Sequence, residues 1–117
     1  MSQYLHLPIY NLAFDFLKEL HMRVPKFAKQ YKYFLGEKLI EYNVDIIGLI
    51  IEANNCRDMA DRVFELEKLS KKISQLILHC RIADELDQWG SQKSYLYLVE
   101  KLADLSTQAE GWRVSTK

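Results

Sequence analysis

The chain reads as an all-α protein, an antiparallel up-down-up-down four-helix bundle built from a single domain over residues 1–117. Three observations predict this. With Gly at 4 and Pro at 2 there is little punctuation for the many turns of a sandwich or barrel, so long helices with short connections are favoured. Apolar residues make up 49% of the sequence, enough to exclude disorder and to fill a core, since folded chains of this size remove roughly two thirds of their unfolded surface from water. Finally, apolar residues recur at helical spacing through four segments.

The first segment starts at Pro8, whose fixed φ and missing N–H suit a first helical turn, and runs to about Met22 before Val24-Pro25 stops it. Its apolar positions, Ile9, Leu12, Ala13, Phe14, Phe16, Leu17 and Leu20, are wider than one stripe. A second segment begins between Lys26 and Phe34, because Gly36 weakens its early part, and ends at Asn54-Asn55. Its β-branched centre, Val44 to Ile51, also suits a buried strand, but its length and the lack of a second strand-like run decide for helix. Asp58 or Asn55 caps the third segment, in which Met59, Val63, Leu66, Ile73, Ile77 and Cys80 form a face widened by Leu69, Leu76 and Ala83. That segment ends near Leu86-Asp87, and Trp89-Gly90 forms the turn with Gly90 in a left-handed position. Ser91 then caps the fourth, whose seam is Tyr95, Leu98, Leu102, Leu105, Ala109 and Trp112. Val114 to Lys117 are expected to fray.

Lys and Arg together number 16, as do Asp and Glu, which removes the global electrostatic argument for nucleic-acid binding. Basic surface must therefore be local. Lys18, Arg23, Lys26, Lys29, Lys32 and Lys38 face only Glu19 and Glu37 over the same stretch. Phe27, Tyr31, Tyr33 and Phe34 are interleaved with them, so the lysines can meet phosphates while exposed rings stack bases. The bland alternative is that Phe27, Tyr31 and Phe34 pack this loop onto the bundle and the lysines are merely solvated. Lys68, Lys71 and Lys72 form a second cluster, on a segment whose Asp58–Arg62 and Glu67–Lys71 spacings suit ordinary ion pairs. Arg81, among Leu78, Ile82 and Leu86, is read as structural and held by Asp84, Glu85 or a carboxylate of a neighbouring chain.

No enzymatic activity, cofactor or metal is expected. His6, His21 and His79 lack a Glu three residues before them, which excludes a di-iron bundle. His79 and Cys80 are successive helical residues about 100° apart and cannot pair as base and nucleophile. Phosphate loops and zinc-protease motifs are also missing from the sequence. Cys56 and Cys80 read as small, partly buried thiols in a reducing compartment. The apolar runs fall short of the roughly eighteen residues of a membrane span, and Met1 to Leu7 lacks the pattern of a secretion signal, so a cytoplasmic location is expected. The first two segments are apolar nearly all round at Phe14 to Leu17 and Ile46 to Ile51, which predicts a subunit interface and a closed homo-oligomer, the alternative being that tight packing inside the monomer covers both faces.

Several of these features coincide with a known pattern: Leu7-Pro8-Ile9-Tyr10, Tyr33-Phe34-Leu35-Gly36-Glu37-Lys38-Leu39, Glu52-Ala53-Asn54, Leu78-x-x-Arg81 followed by Asp84, and Gly111-Trp112. Over nearly its full length the chain resembles the four-helix-bundle superfamily of accessory variability determinant proteins of diversity-generating retroelements and of proteins encoded in intervening sequences of bacterial large-subunit ribosomal RNA genes. The opening and the Gly-Trp close look more like the retroelement branch. That resemblance implies a homopentameric barrel of bundles whose basic surface engages a reverse transcriptase and template RNA or DNA during mutagenic retrohoming, with the chemistry left to the polymerase. The neutral net charge departs from the basic surface such a role would use. Two other readings stand beside it: an intervening-sequence protein, and a homo-oligomeric protein-interaction module that binds no nucleic acid.

Overall fold

A computed structural model describes residues 3–116. Four long helices account for most of them: α1 Pro8–Arg23, α2 Glu37–Asn55, α3 Met59–Glu85 and α4 Gln92–Ser115; no strand occurs among the described residues. They pack as α1 against α2 and α4, and α3 against α2 and α4. The long dimension of 44 Å is about that of α3 alone, since 27 helical residues rise about 40 Å. No helix among the described residues is long and apolar enough to cross a membrane.

Local chemistry sets the ends as the sequence suggests. Pro8 occupies the first turn of α1, and Asn11 Nδ2 donates to the carbonyls of Leu5 and Leu7 just before it. The Val24–Lys26 stretch is a 3₁₀ turn that ends α1. A short helical turn, Lys29–Tyr31, then leads through a π-helical turn, Lys32–Gly36, into α2. Gly36 is a packing site rather than a weak point: a Cβ there would lie 2.5 Å from Val24 Cγ1, so only Gly lets the chain pass so close to the end of α1. Asp58 caps α3 by accepting from the Asp61 N–H at 3.1 Å. Between α3 and α4 the backbone is left-handed twice, at Gly90 as expected and also at Asp87. Ser91 accepts from the Ser94 N–H at 3.1 Å and opens α4.

Each helix contributes a buried stripe: Ile9, Ala13, Phe16 and Leu20 from α1; Leu39, Ile46, Ile50 and Ala53 from α2; Leu66, Leu69, Ile73, Leu76, Cys80 and Ala83 from α3; Leu98, Leu102, Leu105 and Ala109 from α4. Three expectations are corrected here. On α3 the inward face is rotated, so that Leu69, Leu76 and Ala83 are core while Met59 and Ile77 are exposed. On α2 the apolar excess is used inside the chain, because Ile46 and Ile50 are buried while Ile47 and Leu49 pack half-buried against the core. Nor is the C-terminus loose up to its last described residue: Thr116 is buried and its hydroxyl donates to the Trp112 carbonyl at 2.8 Å. Lys117, also expected to fray, lies outside the described residues.

Candidate nucleic-acid interface

The connection between α1 and α2 carries Lys26, Lys29 and Lys32, and two interactions fix it at one end of the bundle. Phe27 is buried edge-on against Trp89, with ring centroids 5.1 Å apart, and Trp89 in turn donates its indole N–H to the Cys80 carbonyl at 2.9 Å. The Ala28 N–H donates to Gln88 Oε1 at 2.7 Å, tying the connection to the turn between α3 and α4. Aromatic residues along the connection then divide. Phe27 is core and Tyr31 half-buried against it, whereas Tyr33 is 58% and Phe34 80% exposed. Packing of the loop thus explains the first two rings and not the other two.

The cations divide as well. Among the described residues Lys26, Lys29 and Lys32 form no ion pair. Arg23 is committed elsewhere, 3.0 Å from Glu19 and over the Tyr97 ring at 5.6 Å, and the Tyr97 hydroxyl also reaches Glu19. Lys38 pairs with Glu41 at 3.4 Å. Three uncompensated ammonium groups therefore lie within seven residues of chain, just before two outward-facing rings.

The second cluster is less free. Lys68, Lys71 and Lys72 line an open groove of about 920 Å³ between α2 and α3, together with Asp45, Glu52 and Glu65. Lys68 pairs with Glu65 at 3.2 Å and Lys72 with Asp45 at 3.5 Å, so among the described residues Lys71 and Glu52 are left over and the groove is balanced in charge. The Glu67–Lys71 pair suggested by spacing does not form. Tyr42, which sequence reasoning missed, links the two groups: Lys38 and Lys72 both lie over its ring, at 5.8 and 5.3 Å, and His79 meets it edge-on at 4.8 Å. Its position four residues after Lys38 was the available sign.

Arg62 departs from the pairing its spacing suggests. Instead of pairing with Asp58 it donates from Nε to the Ala53 carbonyl at 2.9 Å and from Nη2 to the Cys56 carbonyl at 2.7 Å, closing the C-terminal end of α2. Arg81 is 70% exposed and meets Glu85 at 3.9 Å, a loose surface pair. Trp112 packs half-buried against the core. Burial pushes the Cys80 thiol well up, and Cys56 is also raised, by desolvation and then by Glu65, Asp61 and Glu52. Neither is primed as a nucleophile. Among the described residues no three His, Cys, Asp or Glu side chains gather to hold a metal.

No protein-family model matches the chain, and no curated protein matches it. The functional reading therefore rests on the geometry and on the residue pattern.

Proposed function

We propose that this chain is a non-enzymatic accessory protein of a diversity-generating retroelement, a homo-oligomeric scaffold that holds a reverse transcriptase and its template RNA or DNA during mutagenic retrohoming. The observation that carries the reading is the α1–α2 connection, where Lys26, Lys29 and Lys32 lack ion-pair partners among the described residues, beside exposed Tyr33 and Phe34. Phosphate contacts of this kind position a strand without reading its sequence, which suits a scaffold that serves a polymerase. The helices are arranged up-down-up-down, a reading supported by the short links after α2 and α3 and by the packing of α4 back on α1. Assembly into five copies, as the resemblance implies, would repeat the three lysines around one rim and raise the local positive potential of a chain that is neutral overall.

The test is a salt titration of binding to unstructured single-stranded RNA by the pure protein. Binding that weakens as salt rises is expected, and Lys26→Ala/Lys29→Ala/Lys32→Ala should lower the slope of log K against log salt by about 2, from roughly 0.7 per phosphate contact. A triple variant that keeps both the affinity and the slope would remove the assignment to this surface. Reverse-transcriptase docking is tested separately, by co-purification with the polymerase encoded beside the gene.

A further inference from the structure

We infer that the α1–α2 connection is a stacking platform for single-stranded nucleic acid, with unpaired bases seated on Tyr33 and Phe34 and the strand's phosphates on Lys26, Lys29 and Lys32. This rests on the proposed function and adds the form of nucleic acid that the site takes. The two rings stand out against a chain that has found packing partners for its other aromatic residues along this segment: Phe27 lies on Trp89 and Tyr31 against the core.

The rings are held outward by the backbone. Leu35 and Gly36 are buried, and Gly36 is locked against Val24, so the π-helical turn Lys32–Gly36 has its inner side fixed and presents residues 33 and 34 to solvent. Such turns interrupt the ordinary ladder and recur at functional positions. The tie from the Ala28 N–H to Gln88 Oε1 restrains the other end of the lysine stretch. A platform fixed in this way loses little freedom when a strand settles on it.

Charge sets the direction. Lys26, Lys29 and Lys32 precede the rings, whereas Glu37, exposed, and the Lys38–Glu41 pair follow them. Phosphates therefore belong on the N-terminal side of the rings and are repelled from the other. The preference for a single strand follows from the rings, because a duplex offers phosphates to the lysines but keeps its base faces stacked on each other and away from Tyr33 and Phe34. With the chain neutral overall, stacking supplies what electrostatics alone would not.

The experiment compares the full chain's affinity for an unstructured single-stranded RNA and for a duplex of the same length, by fluorescence anisotropy over a range of salt. Single-strand binding should be the tighter, and Phe34→Ala should weaken it by roughly five- to a hundredfold with no change in salt slope. Phe34→Trp should retain binding, its own fluorescence quenched by the single strand and not by the duplex. Phe34 is mostly exposed, so the variants should fold; far-UV circular dichroism checks this. Equal affinity for duplex, with Phe34→Ala silent and the triple lysine variant impaired, would overturn the platform and leave the proposed function standing. If the wild-type protein binds neither RNA, the nucleic-acid reading fails as a whole. Should Phe34→Ala spare RNA binding but abolish capture of the reverse transcriptase, the rings are a protein-docking surface and the inference is wrong.

Discussion

At the scale of the residue, two positions show how much depends on a few atoms. Gly36 lies where a Cβ would come within 2.5 Å of Val24 Cγ1, so Gly36→Ala should destabilise the protein by about 1–3 kcal/mol in urea unfolding. Because the clash is with one side chain, the same substitution should cost less in a Val24→Ala background; losses that simply add would show that the strain lies elsewhere. The cysteines make a second case. Cys80 is buried and Cys56 half-exposed, so an aromatic disulfide reagent should titrate one thiol per native chain and two after denaturation. Desolvation and then nearby carboxylates raise Cys56, so its reaction should accelerate as the pH rises. Two thiols reacting at equal rates in the native protein would contradict the burial of Cys80. The packing role of Gly36 was not legible in the sequence, where it only weakened the early part of its segment, because it depends on a neighbour brought in by folding; Cys80 did fall on the apolar face of its segment, and it is core. Phe27 and Phe34 make the same point: the same residue type seven positions apart, one core and one at the surface.

At the scale of the element, local signals worked and sidedness did not. Pro8, Asp58, Ser91 and Gly90 mark ends that the structure places as expected, since capping and left-handed turns involve only adjacent backbone groups. The face of α3 could not be read so directly, because the 27-residue helix carries apolar residues on more than one side and its inward stripe is chosen by α2 and α4. Arg62 belongs to this scale as well. It holds the end of α2 from the first turn of α3, so Arg62→Ala should lower stability by about 1–3 kcal/mol, the typical worth of hydrogen bonds to a charged group. Lysine should recover little of it, since one ammonium cannot copy the forked guanidinium. Equal melting temperatures for the wild type and Arg62→Ala would mean that water replaces these bonds without loss.

At the scale of the whole molecule, the question is what the four-helix arrangement leaves unused. The expected surplus on α2 is mostly consumed inside the chain, with Val44 left exposed, and the other exposed apolar side chains include Phe14 and Met22 on α1, Leu78 and Ile82 on α3, Leu96 and Val99 on α4. The second set is the larger when Ile77 and Leu86 are counted with it, and its opposite charges at Arg81 and Glu85 are only loosely paired with each other and so available to a second copy. The proposed assembly should therefore draw on α3 and α4. Native mass spectrometry at micromolar concentration should give a multiple of the chain mass, and Leu78→Lys/Leu96→Lys should lower it while Phe14→Lys does not. A wild-type mass of one chain would remove self-assembly from the proposed function.

The sequence by itself determined the helical class, the order of the four segments and most of their ends, because helix periodicity, caps and turn residues act over a few neighbouring positions. It also located the basic and aromatic stretch before α2. Only the tertiary structure decided which side of each helix is core, that Lys26, Lys29 and Lys32 lack ion-pair partners among the described residues while Lys68 and Lys72 do not, and that Tyr33 and Phe34 face water. Those outcomes depend on groups far apart in the chain, such as Ala28 with Gln88, Gly36 with Val24 and Lys72 with Asp45, and such pairs acquire a distance only when the helices pack.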